Sequence, residues 1–240
     1  MAGPVSHIYC ALAILLSGTL SIENPRDFII GSLFPDIRYL GVIERSQTHK
    51  PHITWHDVQT ASSDFDAGMK LHALVDVVRE AYVVHHSLYD HFSSLLPYKS
   101  QFLKFFEDAL LHNKVADWST IIGYFDTILP EEQAFGIDDT ALHLWHSLMQ
   151  QYLAQQPDVS NIRTYLYTLL TQQHLAQKGS VSFWNRLLAS LKSRIFGYQL
   201  TKVFYQCKKN IPLQKSIYHF YRQVVSYLPA NPPASAESVA

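Results

Sequence analysis

Residues 63–87 read SDFDAGMKLHALVDVVREAYVVHHS, with apolar residues recurring at intervals of three and four. That spacing predicts a long α-helix starting near Ser62 or Ser63 and running to Ser87 or beyond. Within it, Gly68-Met-Lys-Leu-His72-Ala-Leu-Val-Asp76 sets His72 and Asp76 four apart on one face, about 6 Å apart along the axis. An imidazole and a carboxylate so placed reach one divalent ion, as two histidines do in the helical HExxH motif. Gly68, one turn before His72, leaves space beside that face. The alternative is an ordinary hydrogen-bonded His–Asp pair one turn apart.

The same periodicity extends in both directions, and strand-like alternation is nearly absent. A first helix is expected over 5–17, with Pro4 at its start and Gly18 ending it. A second spans 25–34 behind Asn24 as N-cap and is broken by Pro35. The stretch 36–56 reads as irregular. Further helices are expected over 99–113, 118–129, 138–155, 160–177, 181–198 and 212–227. The last dozen residues, PANPPASAESVA, read as a frayed tail. The expectation is an all-α protein: one multi-helix domain over 1–228 with its chemistry in 5–80, and a disordered tail over 229–240.

Composition narrows the function classes. Hydrophobic residues make up 48% and charged residues 16% of 240, against about 25% charged in an average globular protein, which excludes disorder along the whole chain. Nineteen basic and twenty acidic residues leave a net charge of -1, so there is no overall basic field for nucleic acid. The two cysteines, Cys10 and Cys207, exclude a disulfide scaffold and a thiolate zinc site. Residues 8–20 are apolar but shorter than the roughly 20 residues needed to span a bilayer, and no Lys or Arg precedes Arg26, which argues against a secretory signal. A soluble, cytoplasmic protein is expected. Histidine is the excess: thirteen in all, seven of them between His49 and His91.

Candidate ligands lie ahead of the long helix. Gly31-Ser-Leu-Phe-Pro35-Asp36 puts a carboxylate at a rigid turn after an apolar helix, although an N-cap or turn role also suits it. Thr48-His49 lies in the following polar loop, where Thr48 or a carbonyl would fix the imidazole tautomer. His7 stands near the start of the first apolar helix. Arg79 lies one turn past Asp76 and Arg38 two residues past Asp36; either would stabilise charge on a phosphate, and a salt bridge to a carboxylate is the alternative. Glu80 and Glu44 are possible bases. His85 and His86 are excluded, since His86 lies about 15 Å beyond Asp76 and His85 on the opposite face.

His7 before an apolar helix, GSLFPD ending at Asp36, Thr48-His49 and GMKLHALVD together resemble the zinc-dependent phospholipase C family, related to the S1/P1 nucleases, over about residues 5–80. The resemblance implies an all-helical fold and a zinc-activated water that hydrolyses phosphodiesters. It implies that Asp36, His49, His72 and Asp76 hold one ion, and that His7 with a bridging Asp76 holds a second. The family's further histidine falls at Tyr82 here, so one or two ions are expected, zinc first and Mn²⁺ or Fe²⁺ otherwise. Its substrate would be a phosphodiester-containing small molecule or lipid, with peripheral membrane contact and no specific nucleic acid.

Two related readings stay open. The acyl carrier protein phosphodiesterase family resembles the chain in its N-terminal His, the Gly31-to-Asp36 turn and the segment from Gly68 to Asp76. His56-Asp57 resembles the paired residues of HD-type phosphohydrolases, although it falls in a segment read as loop. The non-enzyme alternative is a helical binding module in which the C-terminal aromatics form core and partner surface. His143 and His146 are read as ordinary, and the basic residues Lys192, Arg194, Lys202, Lys208 and Lys209 as a solvated face or a weak anionic-surface contact.

Overall fold

The structure is a computed structural model that describes residues 2–95, 99–158 and 201–230. Among the described residues every regular element is helical and no strand occurs. Helix α1, Pro4–Ser17, starts with Pro4 where a missing N–H costs nothing and ends on Gly18 in the left-handed region, φ 64°. Its N-cap, Gly3, has no side chain with which to cap. Asp108 does the work from another helix: its carboxylate accepts from Ser6 N at 2.8 Å, Ser6 Oγ at 2.6 Å and Val5 N at 3.3 Å. A Cβ on residue 3 would sit 2.3 Å from Asp108 Oδ2, so only glycine lets that carboxylate reach the helix end.

Helix α2, Pro25–Leu33, is capped by the Asn24 side chain. The α-helix ends at Leu33, ahead of Pro35 as expected, but the chain continues directly into a 3-10 helix and not into an irregular stretch. Pro35 lies in the first turn of that 3-10 helix, Phe34–Leu40, where no N–H is required of it. The stretch 36–56 is also more ordered than its composition suggests. It holds this 3-10 helix, the short helix α3, Arg45–Thr48, and the start of α4, Trp55–Gln59. Helix α5, Asp64–His85, is the long helix, capped by Ser63, whose side chain accepts from Asp66 N.

Helices α2 and α5 meet backbone to backbone. A Cβ on Gly31 would lie 2.2 Å from Phe65 O, and one on Gly68 would lie 2.2 Å from Phe28 O. Gly68 therefore makes room for α2 itself, and the space expected beside the His72 face is filled by main chain. This contact sets the height of His72 on α5 against the end of α2.

Beyond α5 the chain forms a 3-10 segment, Leu88–Leu95, then α6, Lys99–Leu111, α7, Trp118–Gly123, α8, Pro130–Gln133, and α9, Asp139–Leu153. The helix expected over 118–129 ends early. Thr127 is extended, and Leu129 is held at ψ 147° ahead of Pro130. The helix expected over 212–227 is two helices, α10, Ile211–Arg222, and α11, Val224–Ala230, separated at Gln223. Residues 229 and 230, read as tail, belong to α11. The helices expected over 160–177 and 181–198 lie outside the described residues, as do Lys192, Arg194 and residues 231–240.

The core is built from Val5, Ile8, Ala11 and Ile14 of α1, Leu71, Leu74 and Val75 of α5, Phe102 and Phe106 of α6, Trp145 and Met149 of α9, and Leu213, Ile217 and Phe220 of α10. Phe204, Phe220 and Tyr221 are buried as core, whereas Tyr205 is exposed. Among the described residues no helix is long and apolar enough to cross a membrane.

Candidate metal centre

Five side chains from α1, the 3-10 helix, the end of α3 and α5 meet around Asp76. His7 Nε2 lies 3.4 Å from Asp76 Oδ1, while His49 Nε2 and His72 Nε2 lie 3.5 and 3.7 Å from Oδ2. His72 Nε2 is also 3.9 Å from Asp36 Oδ1. The His7 and His72 rings stack at 3.8 Å, and His49 stands edge-on to His72 at 5.1 Å. His7, His72 and Asp76 are 1%, 1% and 3% exposed. The sequence-derived set His7, Asp36, His49, His72 and Asp76 is thus brought together in one place.

Each ligand is held by its own local structure. Asp108 anchors the first turn of α1 and with it His7. His72 Nδ1 lies 2.9 Å from the Ser32 carbonyl. A carbonyl only accepts, so the proton of the neutral ring is on Nδ1 and Nε2 carries a lone pair. Thr48 Oγ1 lies 3.0 Å from His49 Nδ1 and 3.5 Å from the Arg45 carbonyl, so the hydroxyl fixes the orientation of that ring. Ala2 N donates to Asp76 Oδ1 at 2.6 Å.

The electrostatics follow from this burial. Desolvation, then the neighbouring His7, pushes the His72 imidazole down to about 3, so it is neutral at ordinary pH. Burial works against the charge on Asp76, but His49 and then His7 outweigh it and hold the carboxyl well below the usual range. Asp36 is likewise lowered against its burial, chiefly by Lys104 and then His72.

The result is a buried acceptor facing acceptors. His72 Nε2 points at two carboxylate oxygens, and among the described residues the Nε2 atoms of His7, His49 and His72 make no hydrogen bond. Buried polar atoms are rarely left so, and a cation between them would resolve the conflict. The separations suit one: zinc ligands at 2.0–2.1 Å in a tetrahedron are about 3.3 Å apart, close to the 3.4–3.9 Å seen here. The ligand atoms of His7, His72 and Asp76 all lie within 4.8 Å of one another. The two oxygens of Asp76 face different partners, Oδ1 towards His7 and Oδ2 towards His49 and His72.

The remaining sequence candidates fall elsewhere. Arg79, expected beside a bound phosphate, is fully buried and paired with Glu107 Oε2 at 2.7 Å and Glu80 Oε2 at 3.5 Å. The sequence cannot show Glu107 across the helix interface, and its carboxylate takes the guanidinium. Arg38 Nη2 stays at the cluster, 3.0 Å from Asp36 Oδ1. Glu80 accepts from the Tyr89 hydroxyl, and Glu44 stands at the N-cap of α3. Tyr82 bonds Ser216 on α10.

His56-Asp57 lies on α4 and not in a loop, but Asp57 is the returning half of a capping box with Thr54, and His56 is exposed. His85 and His86 end α5 in solvent. His143 is exposed, whereas His146 is buried between Glu132, at 2.8 Å, and the Phe125 carbonyl, at 3.0 Å, as a structural staple. Three contributors were missed: Ser32 through its carbonyl, Asp108, and Lys104, which lowers Asp36. Only the uncapped Gly3-Pro4 start hinted at one of them, by requiring an acceptor from elsewhere.

Comparison with protein-family models, curated proteins and solved structures finds no match to this chain.

Proposed function

We propose that the chain is a divalent-metal-dependent hydrolase of phosphodiester bonds, phospholipase C-like in its ligand set. The observation that supports this most is the neutral, buried His72 Nε2 facing Asp36 and Asp76 without a hydrogen bond. One or two ions, zinc foremost, would be held by His7, Asp36, His49, His72 and Asp76. Such an ion lowers the pKa of a coordinated water towards 7 and polarises a phosphoryl oxygen. The protein's own share is positional: Ser32 and Thr48 aim two imidazoles, Asp76 links the His7 side to the His49–His72 side, and Arg38 orients Asp36. Phospholipid, nucleotide and protein-linked phosphopantetheine esters all carry the bond concerned. A lipid substrate would be met at a membrane surface.

Elemental analysis of the purified chain beside His72→Ala and Asp36→Ala tests the reading, with hydrolysis of bis-p-nitrophenyl phosphate as the activity. Stoichiometric metal in the wild type, lost in both folded variants together with hydrolysis, is expected. A metal-free protein whose melting temperature ignores added Zn²⁺ would refute it, because a ligand of the native state must stabilise it.

A further inference from the structure

Beside the ligand cluster two cations from different elements converge on one phenol. Arg38 Nη2 donates to Asp36 Oδ1 at 3.0 Å and to the Tyr39 hydroxyl at 3.1 Å, and its guanidinium lies 4.4 Å over the Tyr39 ring. From α6, Lys104 Nζ reaches the same hydroxyl at 3.5 Å and lies 5.4 Å from the ring centre. The two cationic nitrogens are therefore no more than 6.6 Å apart. All three side chains are half-buried, whereas His7, His72 and Asp76 are sealed from solvent. They form the solvent side of the site.

Charge decides what this rim accepts. Arg38 and Lys104 stand as two cationic side chains beside the carboxylates of Asp36 and Asp76, with Arg38 paired to Asp36 at 3.0 Å. A divalent ion on the carboxylates would compete with Arg38 for Asp36. Among the described residues the one hydrogen bond of Lys104 Nζ is to Tyr39, and a neutral phenol does not offset an ammonium. An oxyanion does so, and charge-assisted bonds from two such donors are the strong kind.

We infer that Arg38 and Lys104 are the anion-recognition pair of the site, taking a phosphate oxygen of the ligand between them at the Tyr39 edge. Anionic phosphate esters are thereby selected over neutral esters, and Lys104 is a specificity-determining residue. This rests on the metal reading above, since a bound ion would draw the Asp36 carboxylate away from Arg38.

The test is titration calorimetry of inorganic phosphate into the zinc-loaded full chain, its Lys104→Met variant and its Lys104→Arg variant, with zinc content measured on each. Lys104→Met keeps the aliphatic stem and should bind zinc normally but phosphate about tenfold to a hundredfold more weakly; Lys104→Arg should restore most of the affinity. Co-sedimentation with phosphatidylcholine vesicles containing phosphatidic acid is the second arm. Loss of vesicle binding alone in Lys104→Met assigns the oxyanion to a lipid headgroup, and loss of phosphate binding assigns it to a soluble ester. Zinc-loaded wild type that binds neither probe, or Lys104→Met that binds both as wild type does, overturns the inference. A wild type that holds no zinc overturns the metal reading and the inference with it.

Discussion

Replacing Gly68 by alanine tests whether the close α2–α5 contact builds the candidate metal centre. Intrinsic helix propensity favours alanine by about 1 kcal/mol, so without tertiary structure the variant would be more stable. In the fold, the new methyl would lie 2.2 Å from Phe28 O and 2.7 Å from Ser32 N. Those are main-chain atoms of a packed helix and cannot rotate aside. Restoring van der Waals contact requires the helices to part by about 1 Å. That movement stretches the 2.9 Å bond between His72 Nδ1 and the Ser32 carbonyl and widens the 3.9 Å gap from His72 to Asp36. Overpacking costs about 1–3 kcal/mol and the lost hydrogen bond about 1 kcal/mol.

Set against the propensity gain, the net expectation is about 2 kcal/mol of destabilisation, or roughly 4–8 °C in melting temperature for a chain of this size. Thermal unfolding with and without zinc reads both parts. Wild type in zinc at about a hundred times its Kd should gain about 2.7 kcal/mol, and the variant should gain less. A Gly68→Ala protein that melts at or above wild type with the same zinc shift would show that the contact neither strains nor positions anything.

Three further outcomes follow from the same geometry. Thr48→Val removes the hydroxyl that holds His49 Nδ1 while keeping the shape; zinc affinity should fall about tenfold to a hundredfold in competition with a chelator, with little change in the metal-free melting temperature. Asp108→Ala leaves the Ser6 N–H and hydroxyl and the Val5 N–H without this acceptor, so chemical denaturation should show a loss of about 3 kcal/mol, and His7 should lose its support. Acid should destabilise the metal-free protein. His72 has its folded pKa pushed down to about 3, so below its unfolded value of about 6.5 the unfolded chain binds the extra proton, and stability falls by up to about 1.4 kcal/mol per pH unit. Asp36 and Asp76, both lowered, add to the loss below about pH 4. Urea unfolding between pH 7 and 4 should show the decline, and a flat profile would mean that His72 is not buried neutral.

Local sequence determined the helices and their ends. Pro4 and Gly18 bound α1, Asn24 and Ser63 cap α2 and α5, and the four-residue spacing puts His72 and Asp76 on one face, all through interactions that span a turn or less. The candidate ligands were legible too, because thirteen histidines are many for 240 residues and His72 and Asp76 share one helix face. What surrounds them was not. Asp108 lies more than a hundred positions from Ser6, and Glu107 lies 28 positions from the Arg79 it neutralises. Lys104 meets Tyr39 across 65 positions. No periodicity encodes such pairings. They depend on how close two backbones come, which Gly31 and Gly68 set here, and on which charges burial leaves facing one another once the helices have packed.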